Sequence, residues 1–321
     1  MSNRRTQPSA DRRLLRAALI AATTAWGIGA ATAEPIPASP GATANQPSRI
    51  VSLNLCTDQL LLLLAPGRIA ALSRLAIDPL LSVHADAARG HALVDADAED
   101  VLRFDPDLIV AAPFAARTTV DLLRRLGRRV LVAELAQDIA GLKRTLRQIA
   151  GEIGVSARAE EIVVALEARL AAIAATSGQP AGAQTDQRPT AVVINIGGVP
   201  SGPGWLADAV LRQAGFRNGV ADYPADGRGV IALEALVARP PDLLVLGQDA
   251  GDYLTVRADN LRHPALRALL RTVRHVRLAQ NLTLCATPDV VLAIEQLAAH
   301  ARRPALPGQA LPTPARQPTR P

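Results

Sequence analysis

The chain is short of aromatic residues: three phenylalanines, two tyrosines and two tryptophans make up 2% of its 321 residues. That scarcity argues against a surface that holds nucleic acid by stacking bases, although a net charge of +6 and a pI near 10.4 invite that reading. Lysine occurs once, as Lys143, so arginine supplies almost all the positive charge. Several arginines crowd the two ends, and those between are scattered rather than clustered. No nucleic-acid partner is expected. Two cysteines are too few to hold an iron–sulfur cluster. His84, His91 and His263 lack the spacing of a zinc site. The loop "GVPSGPGW" is glycine-rich, yet it is neither a Walker nor a dinucleotide fingerprint. No Ser-His-Asp set and no paired carboxylates stand out. The expectation is a protein that is not an enzyme and has neither a cofactor nor a directly bound metal ion.

Long hydrophobic runs are also missing. Arg4, Arg5, Arg12, Arg13 and Arg16 precede an apolar run from Ala17 to Ala30, followed by Ala31-Thr32-Ala33. The run is too short for a permanent membrane span and reads as a secretory signal peptide over 1–33. No cysteine follows it to carry a lipid anchor, and the ordinary Sec route to the periplasm is expected over Tat. Residues 34–48 read as a flexible leader and 302–321 as a proline-rich tail.

What is present is a repeat. "AEDVLRFDPDLIV" (Ala98–Val110) and "LEALVARPPDLLV" (Leu233–Val245) both read Glu, six residues, Pro-Asp-Leu and two aliphatics. Around each copy, strands and helices alternate, as in an α/β lobe with a mostly parallel sheet. The first lobe is assigned to 49–150 and the second to 179–301. Arg49–Leu53 and Ala191–Ile196 are expected to open them as strands. Asn54–Thr57 is expected as a loop before a helix over Asp58–Leu64. Between the lobes, Ile162, Val163, Leu166, Leu170 and Ile173 recur at helical spacing. The joining helix is assigned to 151–178, continuous from about Ser156 to Thr176. The fold class is thus α/β, two Rossmann-like lobes joined by one long α-helix.

This plan resembles the substrate-binding proteins of ABC importers for vitamin B12, ferric siderophores and haem. The resemblance rests on "RIVSLNLCTDQLLLLL", "EDVLRFDPDLIV", "LLRRLGRRVLVAEL", "LADAVLRQAGFRNGV", "LEALVARPPDLLV" and "CATPDVVLAIEQLA", and covers about Arg49 to Ala301. It implies a monomer that takes a small-molecule metal chelate into a cleft between the lobes. It also implies an inner-membrane permease dimer as partner, docked through one surface glutamate per lobe, here Glu99 and Glu234. Favourable placement at a positive helix end is the plainer reason for both acids, with Asp97 as an N-cap beside the first. A periplasmic enzyme or signalling subunit on the same scaffold is the alternative.

Ligands of parallel α/β sheets bind beyond the carboxyl ends of the strands. That rule selects Asn54, Cys56, Thr57, Arg74, Phe114 and Arg117 in the first lobe, and Trp205, Tyr223, Arg228, Asn281 and Cys285 in the second. Trp205 equally suits a core position in the first turn of a helix. The arginines equally suit solvent. For Cys56 and Cys285 three readings stand: a disulfide, favoured by an oxidising compartment; small apolar lining of the cleft; or a thiolate ligand to the metal of a bound chelate.

Overall fold

A computed structural model describes residues 46–301 apart from 115, 177–187, 195–201, 203, 225–230 and 248–262. The expected signal peptide, almost all of the leader, the tail and Arg228 lie outside the described residues.

The first lobe is a five-stranded sheet, and every strand pair is parallel. Its strands are β1 (Ile50–Ser52), β2 (Ile69–Ser73), β3 (Ala92–Val94), β4 (Leu108–Ala111) and β5 (Val130–Val132), in the order β3-β2-β1-β4-β5. Between them run α1 (Leu55–Leu64), α2 (Ala85–Ala88), α3 (Ala98–Arg103) and α4 (Arg117–Arg125). β4 is buried at all four positions, with helices on both faces. Its uninterrupted aliphatic run reflects that burial.

Two helices follow. α5 (Ile139–Ile153) starts at Asp138, whose side chain accepts the Gly141 N–H, and ends at Gly154 in the left-handed region (φ 72°). A Cβ at Gly154 would meet only the end of the flexible Gln46 side chain, so it is the left-handed backbone that calls for glycine there. The break moves Gly151, Glu152 and Ile153 out of the expected joining helix and into α5. α6 (Ser156–Thr176) runs unbroken as the periodicity predicts, and its 21 residues span roughly 30 Å. It buries Ala159, Val163, Leu166 and Ile173. Each of the three larger side chains contributes about 1.5–3 kcal/mol when fully buried.

The second lobe repeats the plan with β6 (Thr190–Ile194), α7 (Leu206–Gln213), β7 (Arg217–Asn218), α8 (Leu233–Ala238), β8 (Leu243–Leu246), α9 (Pro264–Thr272), β9 (His275–Arg277) and α10 (Val290–Ala301). Its sheet is parallel throughout, in the order β7-β6-β8-β9. β6, β7, β8 and β9 therefore stand where β1, β2, β4 and β5 stand in the first lobe. One apolar cluster runs through both lobes. It joins Leu61, Leu142 and Ile149 to Val210, Phe216 and Ile294 through Val163 and Leu166 of α6.

The Pro-Asp of each repeat has a definite role in this architecture. Asp107 accepts hydrogen bonds from the Ser48 and Arg49 backbone N–H groups at 2.8 and 3.0 Å. Asp242 accepts from the Thr190 N–H at 2.7 Å and from its hydroxyl at 2.9 Å. Each aspartate, one residue before its own strand, thereby fixes the start of the strand beside it.

Candidate functional site

Residues that follow the carboxyl ends of strands in the two lobes meet at one covalent bond. Cys56, in the first turn of α1 beyond β1, is disulfide-bonded to Cys285, beyond β9, with Cα atoms 5.1 Å apart. Of the three readings of the cysteines the disulfide holds, and neither sulfur is left as a thiolate for a chelated metal. Asn54, Thr57, Ala112, Leu135, Ala136 and Ala286, all beyond strand ends, line a small cavity of about 20 Å³ next to it.

The chain from Asn54 to Thr57 is not the expected loop. Asn54 is the N-cap of α1, its side chain accepting the Cys56 N–H at 2.9 Å, so the helix begins one turn early. Thr57 consequently points inward. It is 3% exposed, with its hydroxyl 2.8 Å from Ser52 Oγ and donating to the Asn54 carbonyl. Its hydroxyl is therefore engaged within the first lobe, although the residue also lines the small cavity beside the disulfide.

Other expected contacts are engaged elsewhere. Arg74 forms a forked pair with Asp95 through Nε and Nη2, the latter bond 2.8 Å. Tyr223 is 8% exposed in the core of the second lobe, and its hydroxyl donates to the Arg239 carbonyl at 2.7 Å. Burial, followed by the nearby Asp222 carboxylate, pushes its phenol up to about 12. Asn281 Nδ2 donates to the Pro79 carbonyl of the first lobe at 2.9 Å, which makes it a tie between lobes.

Phe114 and Trp205 differ from these. Phe114, just beyond β4, is 76% exposed, and the Arg117 guanidinium lies 5.7 Å from its ring centroid. The Arg117 Nε donates to the Pro113 carbonyl, which steadies the pair. Trp205 is the N-cap residue of α7 and is 63% exposed. It is not the core residue that a first-turn position allowed. Among the described residues, each lobe thus offers one large aromatic side chain to solvent.

Glu99 and Glu234 both occupy the second position of a six-residue helix, α3 and α8 respectively. Both are exposed. Among the described residues neither carboxylate has a hydrogen-bond or ion-pair partner. Their neighbours do. Asp97 caps the Asp100 N–H, as the sequence predicts, and Asp100 pairs with Arg103.

Two features had no signal in the sequence. His84 Nε2 lies 2.8 Å from Asp289 Oδ2 across the lobe boundary, 205 residues away. Burial opposes ionisation of Asp289, but the His84 hydrogen bond and charge, with help from Thr287, hold its carboxyl below the usual range. Asp58, fully buried in α1, accepts hydrogen bonds from the Ser73 hydroxyl and N–H. Burial drives its carboxyl up to about 7 against the Ser52 and Ser73 hydrogen bonds that favour the charged form.

Comparison with known proteins places this arrangement. The sequence model of a family described as "Periplasmic binding protein" matches residues 50–280. A "Cobalamin-binding protein" from each of two strains of Halobacterium salinarum is 30% identical over 200 residues, 60% of this chain and 48% of theirs. The chain spans about half the length of these curated relatives. Among solved structures, the periplasmic heme-binding protein RhuT of Roseiflexus superposes with a TM-score of 0.63 at 20% identity, covering 79% of this chain and 97% of that one. The periplasmic vitamin B12-binding protein BtuF of Vibrio cholerae gives 0.58 at 16%, covering 80% and 97%. A periplasmic heme-binding protein of Pseudomonas aeruginosa gives 0.61 at 23%, covering 79% and 92%. These likenesses establish the two-lobed fold.

Proposed function

The chain belongs to the periplasmic binding protein family, and on that premise we propose that it captures a metal chelate between its lobes and delivers it to an ABC permease. The observation that carries the proposal is the pair of exposed aromatics, Phe114 and Trp205, one from each lobe and each beyond a strand's carboxyl end. A chelate with a broad apolar face gains most from such walls, because each aromatic adds large contact area with little loss of side-chain freedom. The cationic Arg117 beside Phe114 suits a ligand that carries carboxylate or phosphate on its edge.

Cobalamin is the chelate to test first, because the 30%-identical relatives carry that description. Haem, for which two of the matched solved structures are named, and ferric siderophores form the comparison set. In a thermal-shift panel the true ligand at about one hundred times its Kd raises the melting temperature by roughly 5–10 °C. No shift with any of the three overturns the proposal.

Delivery rests on the two glutamates. A permease made of two like subunits offers the same basic pocket twice, and a binding protein with one exposed acid at the matched position of the repeat in each lobe suits that symmetry. Asp107 and Asp242 account for the structural part of the repeated motif. Among the described residues Glu99 and Glu234 have no hydrogen-bond or ion-pair partner, and both stand in the first turn of a helix.

A further inference from the structure

Glu99 stands on a small support. α3 is six residues long, far short of the length at which a helix holds itself together in water. Of its residues only Val101 is buried. The direction of the Glu99 carboxylate therefore depends on what holds the turn beneath it, Asp95 to Asp97, which joins β3 to α3.

Every residue of that turn is held. The Asp95 carboxylate takes the Arg74 fork, with Nη2 at 2.8 Å, and the Asp95 N–H donates to Asp100 Oδ2 at 2.8 Å. The Ala96 carbonyl accepts the Thr119 hydroxyl at 2.7 Å. The Asp97 carboxylate accepts the Asp100 N–H at 2.9 Å. The bonds to Asp100 are local to α3 and its cap, whereas those from Arg74 and Thr119 come from other elements. Both donors start from anchored backbone. Arg74 directly follows Ser73, whose N–H and hydroxyl are bonded to the buried Asp58. Thr119 lies in the first turn of α4, next to the buried Val120.

We propose that Thr119 and Arg74 are positioning residues for Glu99: by bracing the Asp95–Asp97 turn from α4 and from the end of β2, they fix where its carboxylate leaves the lobe. This role rests on the docking reading of Glu99. An acid already held in place loses less freedom on meeting a basic pocket than one on a fraying helix, so more of the contact energy appears as affinity. Charge separates positioning from plain attraction. Arg74 neutralises Asp95, and its removal leaves the face around Glu99 one charge more negative. Attraction alone then favours a basic partner. Positioning requires the opposite outcome.

The test uses Thr119→Val, which keeps the shape and removes the hydroxyl, Thr119→Ser, which keeps the hydroxyl, and Arg74→Gln. Amide hydrogen exchange is read on each chain alone, and affinity is read for the unliganded chain against the ABC permease in lipid nanodiscs. In Thr119→Val, exchange over residues 95–103 is expected to quicken roughly fivefold, the worth of one hydrogen bond, with the rest of the chain unchanged. Permease affinity is expected to fall by a similar factor in Thr119→Val and in Arg74→Gln, and to hold at the parent value in Thr119→Ser. In a Glu99→Ala background, Thr119→Val is expected to cost nothing further. A Thr119→Val chain that matches the parent in either measurement overturns the positioning role. So does an Arg74→Gln chain that docks as tightly as the parent or more tightly, and so does a Thr119→Val loss that persists without Glu99. Glu99→Ala at parent affinity overturns the docking reading and the positioning role with it. Glu99→Ala weakened while Thr119→Val is not overturns positioning alone.

Discussion

Asp107 and Asp242, 135 residues apart (242 − 107), perform one task twice: each carboxylate takes the backbone N–H that opens the neighbouring inner strand of its sheet. The repeated Pro-Asp is therefore a register clamp. It follows a short helix, launches β4 or β8, and fixes where β1 or β6 begins. Asp107→Ala and Asp242→Ala each leave strand-opening donors without their acceptor, at about 1 kcal/mol per lost bond. Chemical denaturation is expected to show the larger loss for Asp242, whose site is half-buried while Asp107 is exposed. Equal stability of both variants and the parent would remove the clamp from the account.

The glutamate of the same motif makes the opposite prediction. Glu99→Arg with Glu234→Arg is expected to abolish transport in a reconstituted importer while leaving the melting temperature and ligand affinity within error of the parent. Exposed substitutions away from packing usually change stability by less than about 0.5 kcal/mol. A fall in ligand affinity instead assigns the acids to the cleft and contradicts docking.

Asp58 makes stability depend on pH in a direction unusual for a carboxylate. Its folded value lies near 7, above the 3.8 of an ordinary aspartate. Between those two values the folded state holds more protons than the unfolded state, so stability falls as pH rises from about 4 through 7. Below the unfolded value the group contributes no pH dependence. Asp58→Asn keeps an acceptor for the Ser73 hydroxyl but carries no charge. Melting temperatures taken from pH 5 to 8 are expected to converge at the acid end and to favour the asparagine variant at pH 8 by an amount of order 1–4 kcal/mol. Parallel curves for the two proteins contradict this role.

These residues show what could be read from the sequence and what could not. Strands β4 (Leu108–Ala111) and β8 (Leu243–Leu246) follow directly on the repeated Pro-Asp, because a four-residue aliphatic run there leaves little choice. The Ser156–Thr176 helix was equally plain in its periodicity. The short edge strands β3 and β7 were not, since three and two residues are too few to show a period. The carbonyl partners of Thr57 and Tyr223 were hidden for a related reason: a polar group near a strand end looks the same in sequence whether it faces a cleft or bonds a carbonyl behind it. The disulfide was only one of three open readings, because its 229-residue separation carries no local signal. The His84–Asp289 pair had no signal at all.

The exposed aromatics bring the account to its most direct test. Isothermal titration of the folded chain with cobalamin, repeated on a Phe114→Ala, Trp205→Ala variant, measures capture and its location together. The account predicts saturable binding at one ligand per chain, weakened about 10- to 100-fold in the double variant, as expected for losing a few kcal/mol of aromatic contact. Binding of equal strength in parent and variant contradicts the assigned site. Absence of binding to cobalamin, and then to haem and ferric siderophores under the same conditions, contradicts the central claim itself.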